Sequence, residues 1–222
     1  MEGIFITGTD TGVGKTLVSA GLLTLLQGSS FKAAYWKPIQ TGTIVGTDLD
    51  EVKRLTQLPG DSYFDSLYAF ADPISPHLAA RKWGKDINVA EIVTKAQEYT
   101  QHKFLLVEGA GGLLVPINET ELQVDIIQKL GLPVLVVAED RVGGINHALL
   151  TLRVAEQAGI KIMGIILTRS RNTLGNAESI VHFGHVPILA ELAPVDDPKM
   201  LVSQVGFHSG LREFFKLPPL PA

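Results

Sequence analysis

The chain has 222 residues, 45% of them hydrophobic, and a mean hydropathy of +0.22, enough apolar material for a substantial core. Nineteen Lys and Arg against twenty-three Asp and Glu leave a net charge of −4, with no basic stripe dense enough to neutralise a run of phosphates, so nucleic acid is excluded as a partner. Cysteine is absent, which removes disulfides, thiolate nucleophiles and cysteine-type zinc sites and suits a reducing compartment.

The N-terminus enters an apolar run of only about four residues, without the charged start and long apolar stretch of a signal peptide. Nowhere do about eighteen apolar residues run together, which predicts no membrane contact and a cytoplasmic protein. That first run, 3–7, has the character of a buried strand. Gly8-Thr9-Asp10-Thr11-Gly12-Val13-Gly14-Lys15-Thr16 follows it directly and opens a helix predicted over 15–26. This context is what a phosphate loop requires. Glycines let the backbone wrap closely around an anion, the amide N–H groups and the helix N-terminus supply donors, Lys15 adds a cation, and the Thr16 hydroxyl can ligate Mg²⁺. Five residues rather than the commoner four separate Gly8 from Gly14.

The next strand, 33–37, ends in Lys37-Pro38-Ile39-Gln40-Thr41-Gly42. Strand C-terminal ends in open α/β sheets point to the ligand crevice, so Lys37 would face the phosphates and stabilise charge on a transferring phosphoryl group or an attacking carboxylate. A solvated strand-end lysine is the plain alternative. Asp48 starts a helix predicted over 48–58, either as a metal carboxylate or as an ordinary N-terminal acid. Residues 58–85 look mostly irregular, and a connection of that length is a candidate substrate-side wall. Ser75-Pro76-His77 within it fits a purely conformational turn.

A helix over 89–99 leads to a strand over 104–107, closed by Glu108 ahead of Gly109-Ala110-Gly111-Gly112. A carboxylate at the end of a buried strand needs a partner, and a cation is the simplest one. Mg²⁺ takes oxygen ligands and keeps several waters, so Thr16, one or both of Asp48 and Glu108, and phosphate oxygens would complete its shell. A helix over 122–130 and a strand over 133–138 precede Gly143-Gly144-Ile145-Asn146-His147, which opens a helix over 145–159. Its free N–H groups suit a carboxylate; a glycine turn capped by Asn146 is the alternative, and His147 in the first turn is taken as structural. A strand over 161–167 follows, and 217–221 forms a terminal tail. Alternating helices and near-continuously apolar strands predict an α/β fold, a mostly parallel sheet with helices on both faces, in one phosphate-loop NTPase-type domain over 1–222.

Taken in order, these motifs resemble the dethiobiotin synthetase family, ATP-dependent enzymes of biotin biosynthesis. The carriers are Gly8-Thr9-Asp10-Thr11 with Gly14-Lys15-Thr16, then Lys37-Pro38, Asp48, Ser75-Pro76-His77, Val107-Glu108-Gly109-Ala110-Gly111-Gly112 and Ile145-Asn146-His147-Ala148, with 187–191 a weaker match. The resemblance implies a homodimer of phosphate-loop domains acting on ATP, 7,8-diaminononanoate and CO₂ or bicarbonate with Mg²⁺. A carbamate would form on one substrate nitrogen, its oxygen would attack the γ-phosphate, and the second amine would close the carbamic-phosphoric anhydride to the cyclic urea of dethiobiotin. By the family pattern Thr11, Lys15 and Lys37 are catalytic and, with Thr41, surround the carbamate and γ-phosphate. Gly12, Val13, Gly14, Lys15, Thr16 and Leu17, joined by Thr168, Pro187 and Glu191, would hold the nucleotide, and Thr16, Asp48 and Glu108 the metal. Gly111, Gly143 and Asn146 would complete the diamine site, with the helix start at 143–146 receiving the distant carboxylate across the dimer interface.

The chain also departs from that pattern. Gly12 stands where an acid is usual, Thr41 where a serine is usual, and Thr168-Arg169 where an Asn-Asp pair commonly meets the adenine ring. One threonine hydroxyl cannot imitate the bidentate edge of an asparagine amide, which predicts turnover with CTP or GTP. Two other classes share a similar loop. Partitioning and septum-site ATPases carry an additional lysine near its start, where this chain has Asp10, and glutamine-dependent ligases need a cysteine nucleophile that is absent here.

Overall fold

The computed structural model describes residues 2–27, 32–100 and 103–218. Its strands are β1 (Gly3–Gly8), β2 (Ala33–Trp36), β3 (Ile39–Thr41), β4 (Tyr63–Phe64), β5 (Tyr68–Phe70), β6 (Phe104–Glu108), β7 (Val134–Glu139), β8 (Ile162–Thr168) and β9 (Ile188–Glu191). Seven of them form one parallel sheet in the order β4-β2-β6-β1-β7-β8-β9, and β3 and β5 pair as a small parallel ribbon beside it. Alternate side chains feed opposite faces. Phe5, Leu105, Val107, Val134 and Val136 enter one apolar cluster, while Ile4, Ile6, Leu106, Leu135 and Val137 enter the other. That double burial is why the strands carry so few polar residues.

Helices cover both faces. Helix α1 (Lys15–Gln27) and, later in the chain, α8 (Pro198–Gly206) bury Leu22, Leu23, Val202 and Val205 on the second cluster. Helix α2 (Asp48–Thr56) begins with a capping box in which the Thr47 hydroxyl accepts from the Asp50 N–H and the Asp50 carboxylate accepts from the Thr47 N–H. Asp48, Asp50 and Glu51 in its first turn and Lys53 and Arg54 in its last complement the helix dipole. Helices α4 (Val89–Thr100), α5 (Gln123–Leu130) and α6 (Gly144–Gln157) pack on the first cluster. Among the described residues no helix is long and apolar enough to cross a membrane.

The segment 58–85 is more ordered than its composition predicts, holding β4, β5 and α3 (Pro76–Lys82), with Pro76 in the first turn of the helix. These elements are two to seven residues long, too short for a period to develop in the sequence. Beyond β8 come α7 (Asn176–Gly184), β9, α8 and α9 (Ser209–Phe214), and only Leu217 and Pro218 of the predicted tail lie within the described residues.

Candidate active site

Strands β2, β6 and β1 lie side by side, so their C-terminal ends deliver three motifs to one place. Trp36 pairs with Val107 and Ile6 with Glu108, which sets Lys37 beside Glu108 and both next to the loop that leaves β1. The loop is a tight wrap. At Gly8 a side chain would meet Val13 Cγ2 at 2.8 Å and Lys15 Nζ at 2.9 Å, and Gly14 has φ 99°, a conformation that favours glycine. Lys15 folds back over the loop and donates to the Asp10 carbonyl at 2.9 Å. Burial pushes its ammonium below its ordinary value, although Glu108 partly restores it. No acidic residue stands in the first turn of α1, so the positive end of that helix faces the cleft uncompensated.

Beside the loop, two carboxylates and a hydroxyl converge. Thr16 Oγ1 is 2.7 Å from Asp48 Oδ1 and 2.9 Å from Glu108 Oε1. A hydroxyl has one proton to donate, so one of these oxygen pairs is always unmatched unless a cation joins them. Lys37 Nζ bridges the same carboxylates, 2.5 Å from Asp48 Oδ2 and 3.1 Å from Glu108 Oε1. Glu108 is buried, and its second oxygen accepts from the Ser19 hydroxyl at 2.9 Å and the Tyr35 phenol at 3.0 Å. Burial alone would lower the Lys37 ammonium, but Glu108 and Asp48 together hold it above its ordinary value. Burial likewise opposes the Asp48 charge, and Lys37 outweighs it, leaving that carboxyl below its ordinary value. Tyr35, buried against Glu108, is pushed well above the usual phenol range and stays a neutral donor.

Lys15, Thr16, Lys37, Asp48 and Glu108 line a cleft of about 640 Å³, together with residues 73–76 of the connection that the sequence marks as a candidate wall. A second hollow of about 450 Å³ adjoins it through Thr11 and Val115, and is otherwise mainly apolar, with Leu113, Leu114, Leu150 and Val154.

An AAA domain family model matches residues 2–199. The ATP-dependent dethiobiotin synthetase BioD of Paramagnetospirillum magneticum is 42% identical over 195 residues, 88% of this chain and 89% of that protein. The BioD of Lawsonia intracellularis is 42% identical over 187 residues, 84% of this chain and 85% of that one. The chain belongs to the ATP-dependent dethiobiotin synthetase family. A solved chain of the MinC:MinD cell division protein complex of Aquifex aeolicus, at 16% identity, covers 100% of this chain and 99% of that one with a TM-score of 0.64, a likeness of phosphate-loop fold alone.

The synthetase cleft gathers many of the residues singled out in the sequence. Thr11, Gly12, Gly14, Lys15, Thr16, Leu17, Lys37, Thr41, Asp48, Glu108 and Gly111 line it. Val13 does not; it is buried beneath the loop. Thr168 is buried too, its hydroxyl donating to the Val13 carbonyl at 2.7 Å, so that it braces the loop while Arg169 stands at the cleft wall. The Pro187 carbonyl accepts from the Ile165 N–H, and Glu191 meets the Ser170 hydroxyl at the end of β9. Gly143, at φ 83°, is the N-cap of α6 with Asn146 inside the first turn, outside both hollows; His147 lines the second one.

Ser19, Tyr35, Gln40 and Gln123 were not singled out. Ser19 lies one helical turn beyond Lys15 and Tyr35 two strand residues before Lys37, so periodicity puts each on the face of a recognised group. Gln40 Oε1 accepts from the Asp48 N–H at 3.2 Å, and Gln123 braces the 109–112 loop by accepting from the Ala110 N–H at 2.7 Å and donating to the Gly112 carbonyl at 3.2 Å. No local pattern flags a buried glutamine thirteen residues from its partner.

Proposed function

We propose that this cleft carboxylates 7,8-diaminononanoate with CO₂ and closes it to dethiobiotin at the expense of ATP, in the cytoplasm. The single observation that carries the proposal is the convergence of two lysines, two carboxylates and a hydroxyl at the mouth of the phosphate loop in a chain of this family. Lys15, the loop amides and the α1 N-terminus take the phosphates. Thr16, Asp48 and Glu108 offer a hard-oxygen set suited to Mg²⁺, whose chemistry would be to neutralise phosphate charge. Two carboxylates and a hydroxyl leave the remaining positions of such a shell to water and nucleotide phosphate.

Thr11, Lys37 and Thr41 line the same cleft and would hold the substrate carbamate. The carbamate oxygen attacks the γ-phosphorus as ADP leaves. The remaining amine then attacks the carbonyl carbon of the mixed anhydride, expelling phosphate and forming the ring. Lys37 and Lys15 compensate negative charge on the transferring group. The aliphatic chain of the diamine fits the apolar second hollow, which meets the cleft at Thr11. Leu114 and Leu150 at that hollow are 56% and 58% exposed, which supports a homodimer in which a second copy covers this face and offers its 143–146 helix start to the substrate carboxylate.

The test is phosphate release from ATP, Mg²⁺ and bicarbonate with and without the diamine, with mass detection of the cyclic urea. Diamine-dependent release with matching dethiobiotin supports the ligase. Hydrolysis indifferent to the diamine points instead to a switch ATPase like those that share the fold.

A further inference from the structure

We propose that the Lys37 ammonium is the resident counter-ion of the metal carboxylates, and that a divalent cation enters only by displacing it towards the phosphate loop. This rests on the assignment of Thr16, Asp48 and Glu108 to the metal. The observation behind it is a set of oxygens with two claimants. Lys37 Nζ lies 2.5 Å from Asp48 Oδ2 and 3.1 Å from Glu108 Oε1, and that same Oε1 is the atom that Thr16 Oγ1 meets at 2.9 Å. The Lys37 side chain is 9% exposed and that of Glu108 is 0%, so little water separates the charges. A second cation on Oε1 would face the ammonium across a few ångströms of poorly screened space, and the repulsion prevents joint occupancy.

The carboxylates cannot settle the conflict by turning away. Glu108 Oε2 is fixed by the Ser19 and Tyr35 hydroxyls, and Asp48 Oδ1 accepts from the Thr16 hydroxyl at 2.7 Å. Lys37 is the movable party. It stands just past the end of β2 on a stem of four rotatable carbons, and its head group lines the cleft. Exchange therefore leaves the oxygens in place and moves the lysine. The displaced ammonium arrives where charge develops on the transferring phosphoryl group, so metal entry and delivery of the lysine are a single event. Before metal enters, Lys37 is held back by the two carboxylates.

The experiment is a Mn²⁺ titration of the nucleotide-free protein by electron paramagnetic resonance. Lys37→Met is expected to bind Mn²⁺ roughly tenfold or more tightly than wild type, because the competing cation is gone. Unchanged affinity in Lys37→Met, with binding still weakened in Glu108→Gln, overturns the counter-ion role and leaves the metal assignment standing. Unchanged affinity in both Asp48→Asn and Glu108→Gln removes the metal assignment and the proposal with it. Wild-type protein gives a second readout that does not depend on a variant folding. Reductive methylation of Lys37, followed by peptide mass spectrometry, is expected to run faster in Mg²⁺ alone than without it, and a rate indifferent to Mg²⁺ overturns the proposal.

Discussion

Each oxygen of Glu108 lies within hydrogen-bond reach of two donor groups, Thr16 and Lys37 at Oε1 and Ser19 and Tyr35 at Oε2, with the Thr16 proton shared with Asp48 and that of Ser19 with the Lys15 carbonyl, and this shell is what allows a fully buried carboxylate. Removing the cationic member has two separable effects. Lys37→Ala is expected to keep ATP binding largely intact by calorimetry, since the loop and Lys15 remain, while turnover falls by about a hundredfold or more; near-normal turnover would end its catalytic role. The variant also leaves two carboxylates facing each other, a loss of about 3–5 kcal/mol of stability as for other broken buried pairs. The pH dependence of the wild-type pair follows from the shifts. Asp48 is below its ordinary 3.8 in the folded protein, so its contribution is present above 3.8 and disappears as pH falls through the folded value; Lys37 is above its ordinary 10.5, so its contribution is present below 10.5 and disappears as pH rises through the folded value. The wild-type melting temperature is therefore expected to lose this pair's contribution only in acid below 3.8 and in base above 10.5. Loss of the pair's contribution at neutral pH would contradict the assignment. Thr168 carries a different forecast. Its hydroxyl is committed to the Val13 carbonyl, leaving no side-chain edge there for a base, so CTP or GTP is expected to support turnover at concentrations matched to ATP. Activity with ATP alone would show that another group selects the base.

Among the elements, the β1–loop–α1 unit is the one in which local sequence and final geometry coincide most fully. The order apolar run, glycines, Lys15-Thr16, helix is both the pattern and the object. Gly8→Ala is expected to abolish ATP binding in a calorimetric titration while circular dichroism stays native, because the added carbon meets Lys15 Nζ, Val13 and the Asp10 carbonyl, all under 3.0 Å. Retained affinity would mean the loop can open without consequence. The five buried central strands and their helices were equally legible, for double burial writes a continuous apolar run and a covering helix writes a period of about 3.6 residues. Elements of another kind were not. Strands β4 and β5 have two and three residues and take their conformation from pairing with β2 and β3, and α3 has seven residues held by Pro76 and its packing. In the cleft, Lys37, Asp48 and Glu108 were readable because each ends a strand or starts a helix. Gln123 was not, since it reaches the 109–112 loop from an element that follows a long turn, and only tertiary structure joins them.

At the scale of the molecule, the parallel sheet keeps its strand ends on one side, and the exposed apolar residues Leu114 and Leu150 stand together at the hollow that adjoins the cleft. Leu150→Asp is expected to shift the protein to monomer in light scattering and to raise the KM for the diamine more than that for ATP, whereas an unchanged mass would detach this face from self-association. The strand order has its own consequence for the history of the chain. β1 and β2 are close in sequence yet never touch; β6, about seventy residues further on, lies between them and carries Glu108. While the protein is being synthesised, the phosphate loop and Lys37 thus emerge early on strands with a gap between them, and only the late insertion of β6 draws them together. The chemistry becomes possible at the moment the sheet becomes continuous, so a half-made chain has the binding motif without a working site, and its two unpaired inner edges are the surfaces most exposed to mispairing until that strand arrives.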